Sequence, residues 1–210
     1  MNIGILLAAG KSSRFNSKIP KQLYKINEKP IISYSFEAMK AYSDDILIVT
    51  NSSCYKKIKS IYPKTKIVIN NKDCRFESLK IAINNIKGDV ENIVIHDVAR
   101  PYIKSNNIKE LLEKSKTHMY SQYYLKLTNG LVEKNTNGYD VVDRNKYIEL
   151  CTPKIIDYHL FKFLFDKYIY PKNRITCEVL PLMNKFNIKH CLIEGSNRYL
   201  RKVTTVDDIY

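Results

Sequence analysis

Four aliphatic runs constrain the fold of this chain more than any other feature. Residues 3–8, 46–50, 67–70 and 92–96 are continuously apolar rather than alternating, the pattern of parallel strands buried on both faces. The intervals between them are long enough for crossover helices. This βαβ rhythm predicts an α/β fold with a mostly parallel, doubly wound sheet covered by helices on both faces. Ligands in such a sheet bind at the carboxyl ends of the strands. Helical patterns are expected over 31–42, 76–86, 107–116, 158–166 and 178–186. Between 120 and 144 the pattern changes to short β-prone pieces punctuated by Thr128-Asn129-Gly130 and Asn135-Thr136-Asn137-Gly138. That turn chemistry reads as a β-hairpin arm within residues 120–147. The arm is either a solvated hairpin or a pairing element for a second subunit.

With 210 residues and 44% hydrophobic content, the chain suits one domain spanning 1–210. No apolar run approaches the length needed to cross a bilayer. The N-terminus leads into a strand without a secretory pattern. The five cysteines, Cys54, Cys74, Cys151, Cys177 and Cys191, form no C-x-x-C pair, so thiols in a reducing cytoplasm are expected. The formal charge of +14 would suit nucleic acid, an anionic membrane surface or a phosphorylated small substrate. The lysines are dispersed among Asn, Ile and Tyr, with no basic run carrying interleaved aromatics. Neither a nucleic-acid nor a membrane partner is therefore expected.

The loop after the first run has the chemistry of a triphosphate site. Ala8, Ala9 and Gly10 leave backbone N–H groups open to anionic oxygens, and Lys11, Arg14 and Lys21 can neutralise charge at a reacting phosphorus. A solvated strand-to-helix turn is the plain alternative. A Walker A loop is the other rival, because Gly10-Lys11-Ser12 looks like its ending. That motif needs a glycine where Ile5 stands, and Gly4 is one residue too early.

Three further clusters follow later strands. Asp73, Arg75 and Ser78 lie where a helix starts and could read a base or ribose, although Ser78 could equally cap and Arg75 could pair with Glu77 or another carboxylate. His96-Asp97-Val98-Ala99-Arg100-Pro101 puts Asp97 at a strand's carboxyl end, where one carboxylate beside substrate phosphates suffices for Mg²⁺. Arg100 could hold a second phosphate bidentately, and His96 reads as structural. Near the end, Lys202, Thr204 and Thr205 add a cation and two hydroxyls, with Asp207 or Asp208 opening a short helix.

Taken in order, these pieces resemble the cytidylyltransferases that form CDP-activated polyols, above all the 2-C-methyl-D-erythritol 4-phosphate cytidylyltransferase family. The family's A-A-G-x-G-x-R…P-K-Q loop is similar to Ala8-Ala9-Gly10-Lys11-Ser12-Ser13-Arg14 with Pro20-Lys21-Gln22. Its R-x-x-S resembles Arg75 and Ser78, and its H-D-A-A-R-P resembles residues 96–101. Its V-D-R-N…T-P-Q resembles Val142 to Asn145 with Thr152-Pro153, and its K-[IV]-T-x-x-D resembles Lys202 to Asp207. The resemblance implies a Rossmann-like nucleotidyltransferase, usually a homodimer, that uses CTP and Mg²⁺ and releases diphosphate. It implies that the nucleotide meets Ala8, Ala9, Gly10, Lys11, Ser13, Asp73, Arg75 and Ser78. Arg14 and Lys21 would stabilise the pentacoordinate transition state, and Lys202 and Arg144 would hold the attacking phosphate. Asp97, Arg100, Thr128 and Thr204 would complete the polyol-phosphate and metal site. Thr128 and Arg144, on or beside the arm, would enter a partner's site.

The chain departs from the family at Ser12 (a second glycine there), Asn71-Lys72 (a Gly-Gly that admits the cytosine), Lys154 (Gln) and Cys177 (Asp), and it lacks the family's usual terminal helix. Ribitol 5-phosphate is the alternative polyol, and an inactive relative serving as a binding module is the alternative class.

Overall fold

The computed structural model describes residues 1–72, 74–167 and 179–209. Its centre is a seven-stranded sheet. In chain order the elements are β1 (Asn2–Ala8), the short β2 (Lys25–Ile26) and β3 (Lys29–Pro30), α1 (Ile31–Lys40), β4 (Asp45–Thr50), α2 (Ser52–Ile61), β5 (Lys66–Ile69) and α3 (Arg75–Asn84). There follow β6 (Asn92–Asp97), α4 (Ser105–Ser115), β7 (Tyr120–Lys126), β8 (Leu131–Asn135), β9 (Gly138–Val142) and β10 (Ile148–Asp157). The chain continues with α5 (Tyr158–Lys167), α6 (Leu180–Lys185), β11 (His190–Glu194) and α7 (Asn197–Leu200). Strand order is β11-β7-β10-β6-β1-β4-β5. All neighbours are parallel except β10, which runs antiparallel to both β6 and β7.

Alternation along β1 sends Leu6 and Ala8 to one face and Ile3, Ile5 and Leu7 to the other, and each set joins its own core. Ile31, Ile32 and Met39 of α1 with Ile108 and Leu111 of α4 cover the first face. Leu79 and Ile83 of α3 with Phe161 and Leu164 of α5 cover the second. Burying a large aliphatic side chain contributes about 1.5–3 kcal/mol, so these two layers hold the sheet. Gly4 is where α1 comes closest: a Cβ there would lie 2.9 Å from Met39 Cε and 3.1 Å from Ile46 Cγ1.

The four aliphatic runs are β1, β4, β5 and β6, as expected, within one or two residues. The expected helices at 31–42, 76–86, 107–116 and 158–166 form as α1, α3, α4 and α5. The one expected over 178–186 is the shorter α6, and Glu178 lies outside the described residues. The arm needs correction. Residues 120–126 belong to the central sheet as β7, with Tyr120 and Tyr123 fully buried. Only β8 and β9 form the separate antiparallel hairpin. Tyrosines that look like surface β residues are here core residues, because β7 and β10 bury both faces.

Candidate active site

The carboxyl ends of β1 and β6 open onto a cleft of about 340 Å³, walled by residues 7–14 and 21–22, by Lys72, Cys74, Arg75 and Ser78, by residues 97–99, and by Lys202 and Thr204. Six cations line it, Lys11, Arg14, Lys21, Lys72, Arg75 and Lys202, against one carboxylate, Asp97, among the described residues. Such an imbalance in a concave, partly desolvated site favours a polyanion. Five separate stretches of sequence supply these groups: three follow β1, β5 and β6, one is the short turn at Lys21 and Gln22, and one follows α7.

The loop after β1 carries the phosphate-type groups. Gly10 faces open space, since a Cβ there would meet no atom within 4 Å. Phe15 anchors the loop's far end in the core, 1% exposed and edge-on to Tyr24. Lys21 Nζ donates to the Val203 carbonyl at 2.9 Å, tying this loop to the segment that carries Lys202. Burial, with Lys202 and Arg14 close by, lowers the Lys21 ammonium from its ordinary value. The cleft thus holds more positive charge than it satisfies by itself.

Asp97 is the counterweight. Its carboxylate receives Arg75 Nη1, and Lys202 Nζ lies 3.9 Å from its other oxygen. Burial alone would raise its pKa, but Arg75 and Lys202 hold the carboxyl well below the usual carboxylate range. Its backbone N–H donates to Thr152 Oγ1 at 3.1 Å, so β10 fixes where β6 ends. Thr152 precedes a cis-proline, Pro153, at an irregularity in the β10–β7 ladder. That geometry gives the Thr-Pro pair a structural role beside Asp97. Among the described residues no three His, Cys, Asp or Glu side chains converge as a metal cage. An Mg²⁺ ion here would share Asp97 with substrate phosphates, which is ordinary for this ion.

The loop before α3 is set by Asn70, 2% exposed. Its Nδ2 donates to Ser78 Oγ at 2.8 Å and to the Cys74 carbonyl at 3.3 Å, while its Oδ1 accepts from the Lys72 N–H at 2.9 Å. Ser78 Oγ in turn donates to the Cys74 carbonyl at 3.3 Å. Ser78 therefore forms part of the cleft floor with its hydroxyl already engaged. Lys72 pairs loosely with Glu77 at 3.6 Å.

The sequence matches IspD, 2-C-methyl-D-erythritol 4-phosphate cytidylyltransferase, over residues 3–210. The chain belongs to this family. It is accordingly an enzyme of the nucleotidyltransferase class. A 2-C-methyl-D-erythritol 4-phosphate cytidylyltransferase of Clostridium botulinum (strain ATCC 19397 / Type A) is 28% identical over 224 residues, covering 99% of this chain and 94% of the relative. One of Thermotoga neapolitana is 24% identical, covering 100% and 94%. Among solved structures, the bifunctional IspDF of Campylobacter jejuni superposes with a TM-score of 0.82 at 24% identity. The match covers 99% of this chain, which spans about half (54%) of that larger protein. The 4-diphosphocytidyl-2C-methyl-D-erythritol synthase of Anaerococcus prevotii gives 0.81 at 18% identity, covering 99% and 94%. At these identities the structural likeness shows the fold.

Set against the family motifs, the cleft brings together Ala8, Ala9, Gly10, Lys11, Ser13, Arg14, Lys21, Arg75, Ser78, Asp97, Lys202 and Thr204. Arg100 is a correction. Its side chain is 5% exposed, donating to the Leu200 carbonyl and to Glu149 Oε1 at 3.3 Å. It lines no part of the cleft and steadies the segment before Lys202 instead. Thr128 and Arg144 sit exposed at the base of the hairpin, joined by Arg144 Nη1 to the Thr128 carbonyl, and line no part of this cleft. Asp73 lies outside the described residues, as does Cys177. His96 is fully buried with Nε2 3.1 Å from the Arg100 carbonyl, and burial pushes its pKa down to about 4. It is a neutral donor under the sheet, as the sequence suggested.

Lys72, Gln22 and Cys74 line the cleft although none was named as a candidate site residue. For Lys72 a signal existed, since it replaces a family glycine. Asp208, rather than Asp207, receives the N–H groups of Thr204 and Thr205, at 2.7 and 2.8 Å. That cap shapes the turn presenting Lys202 and Thr204.

Proposed function

We propose that this member of the family joins CTP and 2-C-methyl-D-erythritol 4-phosphate, the 4-phosphate attacking the α-phosphorus in line with loss of diphosphate. The observation that supports this most is the cluster, among the described residues, of six cations around one carboxylate in the cleft. Phosphoryl-type transfer depends on positioning and charge neutralisation and requires no covalent nucleophile. In this reading Ala8, Ala9, Gly10, Lys11 and Ser13 offer backbone and side-chain donors to the nucleotide. Arg14 and Lys21 face the α-phosphorus, where charge grows in the transition state. Lys202 and Thr204 hold the incoming phosphate.

Mg²⁺ bound between Asp97 and the triphosphate would supply further charge neutralisation. No single observation favours ribitol 5-phosphate or an inactive relative.

The reading includes a homodimer. The hairpin exposes Val132, Tyr139 and Val141, the last 88% exposed, a face suited to a second copy. Arg144 and Thr128, stranded from the cleft of their own chain, would complete the partner's site. No helix among the described residues is long and apolar enough to cross a membrane, and a cytoplasmic reaction with soluble substrates is the consistent setting.

The test is diphosphate release with CTP and Mg²⁺, offering 2-C-methyl-D-erythritol 4-phosphate and ribitol 5-phosphate in parallel, with UTP, GTP and ATP as controls. Release with the first polyol and CTP alone is expected. Release only with ribitol 5-phosphate, or none from folded protein, would overturn the assignment.

A further inference from the structure

Ser12 occupies the place of a family glycine, and its backbone shows why a glycine would fit: φ is +58°, in the left-handed region. A side chain there costs about 1 kcal/mol or more, so its retention calls for a compensating contact. The contact is a directed hydrogen-bond chain. Gln22, 1% exposed, points Nε2 at the Ala8 carbonyl at 3.1 Å, with Cys54 Sγ at 3.2 Å. A carbonyl only accepts, so the amide orientation is fixed and Oε1 faces Ser12 Oγ at 3.1 Å. An amide oxygen also only accepts, so the Ser12 hydroxyl must donate to it. Its lone pairs are left to accept the Lys21 N–H at 3.3 Å. Each partner's role is forced by the one before it, from the end of β1 to the backbone of Lys21. The Ser12 carbonyl closes the turn by accepting from Phe15 N at 2.9 Å.

We infer that Ser12 is a positioning residue, a latch that holds Lys21 in place across the cleft loop before any nucleotide arrives. A glycine at this site would offer no hydroxyl to the Lys21 N–H. Here the serine hydroxyl orders the loop in advance, and Lys21, already tied to the Val203 carbonyl, becomes a fixed feature of the empty site. The catalytic part of this inference rests on the proposed cytidylyl transfer; the structural part does not.

The test uses Ser12→Gly, which removes the hydroxyl and relieves the backbone, and Ser12→Ala, which removes the hydroxyl alone. Amide hydrogen exchange without nucleotide should quicken at Lys21 by about tenfold or more in both variants, while exchange in β1 and β6 stays unchanged. With CTP and 2-C-methyl-D-erythritol 4-phosphate, kcat should fall about tenfold and the KM for CTP should move less than about threefold, because a displaced cation is felt at the transition state. On a Lys21→Ala background, changing Ser12 should cost nothing further. Unchanged Lys21 exchange in Ser12→Gly, or Ser12 and Lys21 effects that multiply independently, would overturn the latch. Failure of the wild-type protein to transfer cytidylyl would overturn the functional reading instead, and the exchange result would still decide the latch.

Discussion

Replacing Lys21 by methionine separates what this residue does for chemistry from what it does for the fold. The ammonium sits half-buried among like charges, with Lys202 and Arg14 nearby, and its pKa is lowered as a result. The lowered pKa means that the charged form is less well supported in the folded, empty cleft than in the unfolded chain, so the ammonium works against folding. Against this stands one hydrogen bond, 2.9 Å to the Val203 carbonyl, with a net worth of about 1–2 kcal/mol. The two effects oppose each other, and methionine keeps the aliphatic stem. The free energy of unfolding in urea should therefore change by no more than about 1 kcal/mol. Loss of one preorganised cation at a developing charge costs about 3–4 kcal/mol of barrier, or about 10²–10³ in kcat. Diphosphate release at saturating CTP and polyol phosphate measures the second number, and urea titration the first. A kcat within threefold of wild type would remove Lys21 from the transition state. A stability loss well beyond 2 kcal/mol would show that the charge balance of the cleft is misjudged.

Three other perturbations follow from the same geometry. His96, down to about 4 in the fold against an ordinary value near 6.5, contributes stability that is intact above pH 6.5 and is lost as pH falls toward 4. Unfolding measured at pH 5 should be about 2 kcal/mol easier than at pH 7 on this account, and His96→Asn should flatten that slope. Asp97→Asn removes the carboxylate that Arg75 and Lys202 face; it should lower turnover more than a hundredfold, read by diphosphate release from folded protein. If the proposed homodimer forms through the hairpin, Val141→Asp, at an 88% exposed position, should leave the unfolding midpoint of the protomer unchanged while shifting light-scattering mass from dimer to monomer; a dimeric mass in the variant would remove the hairpin from that proposal.

The strands nearest the centre were legible because burial on both faces writes itself as unbroken aliphatic runs. α2 was not legible as a helix: it buries only Cys54 and Ile58 among its ten residues, and two contacts amid lysines make no stripe. β7 was absorbed into the expected arm, since its tyrosines and the turn-like residues after it gave no hint of a central strand, and β10 was not read as a strand at all. At the site, order and spacing of the motifs foretold which loops converge. They could not foretell that Arg100 turns inward to the Leu200 carbonyl, because an Arg-Pro after a strand looks the same whether it faces ligand or core. Nor could they show that Ser78 is already engaged by Asn70, a bond between residues on different elements.

The bond from Lys21 to Val203 joins residues 182 positions apart. Contacts of such long separation form late, once most of the loop-closure entropy has already been lost. The mutually repelling cations therefore need not meet until the sheet beneath them exists to hold them. The same separation runs in reverse on opening. Beyond its internal Asp208 cap, the 202–208 turn is anchored by the buried Val203, whose N–H donates to the Ala99 carbonyl at 2.7 Å, and by the Lys21 bond; releasing these few anchors costs less than opening a core strand. Warmed or treated with mild denaturant, the enzyme should fall silent while its sheet is still intact.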